Sequence, residues 1–159
     1  MPISKLAVFA FVSIAALGTF AALADDPPAL VVDPAIAGMT VDQKVEARRA
    51  AMKEDGMLLR GAADATGQPA VDITTTVLQN FTNFPALFAD GATNANSHAL
   101  PLIWQEFDKF TAIVDKGKTA LTAMRQAAID GDTATYLASF KTLGAVCGEF
   151  HGSYRAKQQ

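Results

Sequence analysis

The sequence predicts an all-α protein, an antiparallel four-helix bundle, and three observations carry that expectation. Apolar residues recur at helical intervals in four separate stretches. The last two stretches are joined by only Asp130-Gly131-Asp132, as tight a connection as antiparallel helices use. Nowhere does the chain show a convincing hairpin signal. Amphipathic helices with no sheet to cover must bury their apolar faces against one another.

The chain has 159 residues, 50% of them hydrophobic and 18% charged, which suits one domain. Its start reads as a secretory signal rather than as fold. Lys5 is the only charge among residues 1–24, residues 6–20 are almost wholly apolar, and Ala22-Leu23-Ala24 supplies the cleavage pattern before Asp25. Cleavage after Ala24 sends the mature chain to the periplasm without a membrane contact. An uncleaved anchor is the alternative, because residues 6–23 just reach the length that spans a bilayer. Cleavage removes one base and no acid, so the mature net charge is −4. No Lys or Arg lies between Gly61 and Asp108, and no basic stripe is interleaved with aromatics, which excludes nucleic acid as a partner. The single cysteine, Cys147, forms no internal disulfide. In an oxidising compartment it is expected to be buried, paired with another chain, or covalently occupied.

Residues 25–39 contain Pro27, Pro28, Pro34 and Gly38 and are expected to form an extended leader to a helical domain over 40–159. Thr40 and Gln43 have capping-box spacing, and Val41, Val45, Met52 and Leu59 follow at helical intervals. A first helix is therefore expected over 41–65, stopped by Gly67 and Pro69. A second is expected from Asp72, with Ile73, Val77, Phe81 and Phe84 on one face and Pro85 at its end. Its β-formers over 71–77 leave a strand as the alternative. Residues 85–100 read as a loop, and Pro101 suits the first position of a third helix that reaches about Ile129. Trp104, Phe107 and Phe110 on this helix are expected in the core. The fourth helix carries Tyr136, Phe140, Leu143, Cys147, His151 and Tyr154, and its last turn holds Arg155 and Lys157, cations that suit a helix C-terminus.

Their four-residue spacing puts Cys147 and His151 on one face of that helix, in line with the apolar stripe, so both are expected to look inward. Beside them Gly144, Gly148 and Gly152 also recur every four residues. Each costs a helix about 0.5–1 kcal/mol relative to Ala. A strip without side chains is expected to admit something close to the backbone, either a neighbouring helix or a planar ligand. On the residues alone, a small-residue helix crossing around a buried Cys and a core His stays open beside a ligand site. Likewise Met52 is open to plain core packing, and Arg48 to lying along the helix border with its head in water.

Residues 143–157 read Leu-Gly-Ala-Val-Cys-Gly-Glu-Phe-His-Gly-Ser-Tyr-Arg-Ala-Lys. This segment resembles the C-terminal helix of class II c-type cytochromes, the cytochrome c′ family. Arg48, Met52-Lys53 and Gly56 resemble the family's first helix, Phe84-Pro85-Ala86-Leu87-Phe88 its second-helix exit, and Leu100-Pro101-Leu102-Ile103-Trp104 the start of its third. The resemblance covers essentially the whole mature chain in the right order. It implies that Cys147 forms a thioether to haem and that His151 is the proximal iron ligand, as in a Cys-x-x-Cys-His motif. Here Phe150 occupies the position of the second cysteine, so at most one thioether forms. Three states stay open: haem c held by Cys147 alone, non-covalent haem held through His151, and a bundle without haem.

Met52 aligns with the residue that faces iron in this family and is the candidate sixth ligand, as in low-spin members. High-spin members close that side with an apolar side chain and bind only small gases such as nitric oxide or carbon monoxide. Arg48 is similar to the family's basic residue near the haem propionates. Tyr154 and Arg155 resemble its Tyr-Arg ending beside the proximal imidazole, and a capping role for Arg155 is the alternative. The implied function is one-electron transfer with a redox partner protein, or small-gas binding, and not enzymatic catalysis in the ordinary sense. A homodimer through the nearly uncharged second helix is compatible with either.

Two readings from other classes remain beside it. Cys147 and His151 are half of a soft-metal site for copper(I) or zinc that Met52, Met57 or His98 would complete. A haemless bundle would serve as an interaction protein. No Ser-His-Asp order, paired-carboxylate site, P-loop or dinucleotide glycine fingerprint is present, so hydrolase and nucleotide readings lack a motif.

Overall fold

The computed structural model describes residues 30–157, so the expected signal segment and the first residues of the leader lie outside the described residues. Four long helices and one short one follow in order: α1 Val41–Leu58, α2 Gly67–Phe88, α3 Leu102–Gln105, α4 Phe107–Asp130 and α5 Thr133–Tyr154. Among the described residues there is no strand, only an isolated bridge between Ala99 and Arg155. None of the described helices is long and apolar enough to cross a membrane.

α1 opens on the expected capping box. The Gln43 amide donates to Thr40 Oγ1 at 3.3 Å, and the Thr40 amide donates to Gln43 Oε1 at 2.8 Å. The helix ends at Leu58 and not at residue 65. Ala62–Asp64 forms a 3-10 turn instead, pinned where the Tyr136 hydroxyl donates to the Ala62 carbonyl at 2.8 Å. Nor do Gly67 and Pro69 end a helix; they begin α2, where a first-turn proline needs no hydrogen bond from its missing N–H. The 71–77 stretch is helical. Pro85 does not close α2 either, because Phe84, Leu87 and Phe88 continue its buried face past the proline, whose own side is half-buried. Packing of three large side chains outweighs one lost backbone bond.

The expected third helix is broken at Glu106, whose extended φ of −137° separates α3 from α4. Glu106 accepts there from the Tyr154 hydroxyl at 2.9 Å and from Lys109 Nζ at 2.8 Å. Phe110 is fully buried as expected, while Trp104 and Phe107 are half-buried and Trp104 Nε1 donates to the Phe88 carbonyl at 2.6 Å. Gly131 turns α4 into α5 at a φ of 70°, a left-handed conformation that favours glycine. α5 ends at Tyr154, so Arg155 and Lys157 stand beyond the last turn. The leader is not wholly extended. Pro34–Gly38 makes a 3-10 turn with Ile36 buried, and the Asp33 amide donates to Asn83 Oδ1 on α2 at 3.0 Å.

α4 is the centre of the bundle, packed on α5 on one side and on α2 on the other, and α1 packs on α2. α1 and α5 make almost no contact with each other, so the ring of helices stays open along that seam. The α2/α4 contact is close because Gly117 has no side chain: a Cβ there would strike the Phe81 ring. The glycines of α5 differ. A Cβ at Gly144, Gly148 or Gly152 would meet nothing within 4 Å, so no neighbouring helix uses that strip, which corrects the expectation of a small-residue crossing.

These surroundings set opposite outcomes for two glycine-to-alanine changes in helix interiors. Gly117→Ala is expected to destabilise the fold by about 1–3 kcal/mol through overpacking against Phe81. Gly144→Ala is expected to stabilise it by about 0.5–1 kcal/mol through helix propensity. Denaturant unfolding of the two variants checks both signs.

Candidate functional site

The open seam between α1 and α5 holds two adjoining cavities of about 280 Å³ and 180 Å³. Both are bounded by Met52 from α1 and by Phe150 and His151 from α5. The larger one lies toward the start of α1 and is lined by Arg48, Phe88, Tyr154 and the loop residues Ser97, His98 and Ala99. The smaller one lies toward the end of α1 and is lined by Asp55, Gly56, Leu59 and Cys147, with Phe81 and Phe84 behind. A continuous crevice thus runs between two helices, with a thioether on one wall and a thiol and an imidazole on the other.

Helical periodicity builds each wall. On α1, residues 48, 52 and 55 share one face. Arg48 is not at the helix border: it is 3% exposed. Its Nη1 donates to the carbonyls of Ala92 at 2.6 Å and Leu87 at 3.2 Å, its Nη2 donates to Ser97 Oγ at 2.8 Å, and the guanidinium lies 4.3 Å above the Phe88 ring. Among the described side chains no carboxylate pairs with it. Burial lowers its pKa to about 10, which leaves it charged at neutral pH. A buried cation on a cavity wall, held only by neutral acceptors, is suited to an incoming carboxylate.

On α5, Cys147 is half-buried, and burial followed by the nearby Asp55 charge pushes its thiol pKa up, so it remains a thiol. His151 departs from the expectation of an inward ring: it is exposed at the edge of the crevice. The desolvation it does suffer, reinforced by Arg155, lowers its pKa and favours the neutral imidazole, the form that ligates a metal. Phe150 turns inward and joins an aromatic cluster, 5.3 Å from Phe110, 6.0 Å from Tyr154 and 6.5 Å from Phe88 between ring centroids. It therefore supplies a flat apolar surface at the position where a second thiol would stand. Arg155 is exposed at the rim of the larger cavity.

The loop over 92–100 closes one end of the crevice. The Leu100 amide donates to the Tyr154 carbonyl at 2.9 Å, the Ala156 amide donates to the His98 carbonyl at 2.8 Å, and Asn94 Nδ2 donates to Asp42 Oδ1 at 2.7 Å. His98 in this loop is exposed but lies on the cavity rim. The soft-metal reading finds less support. Met57 is 54% exposed and borders neither cavity, and among the described residues no group of three or more His, Cys, Asp or Glu converges.

One wall residue escaped the sequence reading. Asp55 is 6% exposed, its Oδ1 accepts from Asn80 Nδ2 at 2.8 Å, and among the described residues its Oδ2 has no hydrogen-bond partner. Its signal was the placement of a second charge, seven residues after Arg48, on the face that also carries Met52.

The crevice suits a haem on the chain's own chemistry. It is apolar and flanked by rings, it carries a thiol and an exposed imidazole on one helix, and at one end it holds a cation without a counter-ion. Comparison with known proteins agrees. A family profile described as Cytochrome C′ matches residues 42–155. Cytochrome c-556 of Agrobacterium tumefaciens (strain B2A) is 35% identical over 122 residues, covering 72% of this chain and 98% of that protein. Among solved structures, cytochrome c′ from Thermochromatium tepidum superposes with a TM-score of 0.68 at 19% identity, covering 75% of this chain and 98% of the other. The nitric oxide complex of a cytochrome c prime variant from Alcaligenes xylosoxidans does so with a TM-score of 0.64 at 21% identity, covering 75% and 98%. These two likenesses concern the fold. The profile and the relative settle the family: the chain belongs to the cytochrome c′ family, whose members carry covalently bound haem c.

Proposed function

We propose that this chain is a periplasmic haem protein that carries single electrons, with haem c seated between α1 and α5. The observation that carries this reading is the unclosed α1/α5 seam, where Cys147 and His151 face Met52 across a crevice that also exposes the buried Arg48. His151 is the proximal iron ligand, and Cys147, the only cysteine, is the single thioether anchor. Phe150, at the position of a second thiol, would offer its ring to the haem as an apolar surface in place of a second thioether. Arg48 pairs with a propionate, which gives its guanidinium the anion it lacks. Met52 supplies the sixth ligand from the opposite wall. The haem contributes a one-electron iron couple, and the chain sets its axial ligands and excludes water. A second reading, small-gas binding with Met52 off the iron, is favoured by one observation, the fold likeness to a protein solved as its nitric oxide complex.

The intact mass under denaturing conditions, after expression with its own leader in a host that matures c-type cytochromes, tests the attachment. The expected mass is that of residues 25–159 plus one haem, and Cys147→Ser is expected to return the bare polypeptide mass. A bare mass for the unaltered protein contradicts covalent attachment. Optical spectra separate the two activities. A six-coordinate low-spin spectrum that is lost in Met52→Ala is expected for electron transfer. A five-coordinate spectrum that shifts on adding carbon monoxide supports gas binding instead.

A further inference from the structure

The larger cavity has a rim of one sign. Arg49 and Lys53 border it from α1 and Arg155 from the exit of α5, all three exposed, with the buried Arg48 behind them. Among the described residues no Asp or Glu lines this cavity. That runs against the chain as a whole, whose mature net charge is −4. The charge is therefore unevenly placed. Asp64, Asp130 and Asp132 stand at the opposite end of the bundle, on the 3-10 turn after α1 and around the Gly131 turn between α4 and α5.

Elsewhere cations are neutralised locally. Lys109, Lys116 and Lys118 on α4 each form an ion pair with a carboxylate. At the rim Arg49 pairs with Glu46 at 3.2 Å, but both side chains are exposed, where water weakens the pair. Lys53 and Arg155 have no ion-pair partner among the described residues. Between these cations lie the half-buried side chains of Met52 and Phe150. An apolar centre inside a charged rim is the composition of a transient protein interface.

Resting on the haem reading, and naming the kind of partner it leaves open, we propose that the mouth of the larger cavity is the docking surface for a redox protein that presents a carboxylate-rich face. Lys53, Arg155 and Arg49 meet those carboxylates, and the acids at the far end of the bundle turn that end away. One electron crosses between the partner's redox centre and the haem iron, so that one is oxidised as the other is reduced, and no atom is transferred. A haem brings two propionates. Arg48 meets one, and Lys53 and Arg155 outnumber the other, so the rim stays cationic. Complementary charge raises the encounter rate and fixes the orientation, and its effect fades as salt is added.

The test uses the coloured holoprotein, its haem established by its optical spectrum. The probes are hexacyanoferrate(III) as an anionic oxidant of the reduced protein, poly-L-glutamate as a carboxylate-rich polypeptide, and vesicles of anionic phosphatidylglycerol. Stopped-flow oxidation rates are measured from about 0.01 M to about 0.2 M ionic strength. The rate is expected to fall as salt rises, although the like net charges of protein and oxidant alone demand a rise. Poly-L-glutamate is expected to slow the low-salt reaction. Lys53→Glu is expected to slow it at least about threefold. Lys141→Glu, the same charge change at an exposed site of α5 that borders neither cavity, is expected to leave it within about twofold. Should Lys53→Glu alter the optical spectrum, Arg155→Glu, beyond the last turn of α5, replaces it. A rate that rises with salt, an effect of Lys53→Glu no larger than that of Lys141→Glu, or indifference to poly-L-glutamate overturns the inference and leaves the haem reading standing. So does a reaction slowed by the vesicles and not by poly-L-glutamate, which assigns the rim to a membrane surface. A colourless protein overturns both.

Discussion

A buried cation that meets no carboxylate among the described residues is the constraint on which this structure turns. Arg48 is 3% exposed, and taking a guanidinium out of water is costly unless its donors are satisfied. Three oxygens and one aromatic face meet it: the carbonyls of Leu87 and Ala92, the Ser97 hydroxyl and the Phe88 ring. Leu87 and Phe88 are the end of α2, and Ala92 and Ser97 belong to the following loop. One side chain on α1 therefore fixes how α2 ends and where the loop over 92–100 lies. The loop in turn is bonded to the exit of α5 through Leu100 and Ala156. α1 and α5 are held in register through this end piece and not through packing on each other.

The crevice follows from that arrangement. α4 carries the core, with Phe110, Val114, Leu121 and Met124 buried, and α2 and α5 pack against it. α1 packs chiefly on α2 and is tied to the loop over 92–100, and it makes almost no contact with α5, so its inner face has no close helix partner across the seam. That face is correspondingly ill suited to a dry helix contact, since the Arg48 guanidinium and the Asp55 carboxyl interrupt it with polar groups. The charge at the Arg48 end gives the crevice a polarity. The Arg48 end favours an anionic group, and the Asp55 end lies against apolar and thiol surface. A planar ligand with carboxylates on one edge and apolar substituents on the other matches that polarity, as haem does. Phe150 fits the same picture, since its ring continues the aromatic wall of Phe88, Phe110 and Tyr154.

What was legible in the sequence is what local chemistry decides. The capping box at Thr40, the glycine turn at Gly131 and the shared face of Cys147 and His151 depend on near neighbours in the chain, and the structure contains all three. What misled was punctuation overruled by packing. Pro85 reads as a helix end, yet the buried face of α2 continues through Phe88. The glycine strip of α5 reads as a contact surface, yet it faces open space, and the close approach is made by the unremarked Gly117. Asp55 was passed over because a single carboxylate in a helix normally faces water. Its burial depends on Asn80, twenty-five residues away, and on the open seam, neither of which has a local signature. The depth of Arg48 was hidden for the same reason, as its acceptors come from backbone and loop.

Whether the α1/α5 crevice is the haem site is decided by a crystal structure of the coloured protein. The expected result is a single haem between α1 and α5, with an imidazole nitrogen of His151 on the iron, Cys147 Sγ bonded to one vinyl carbon and the Arg48 guanidinium within hydrogen-bond distance of a propionate. A haem bound elsewhere, or one in the crevice with its propionates at the Asp55 end and Arg48 still held only by Leu87, Ala92 and Ser97, contradicts it.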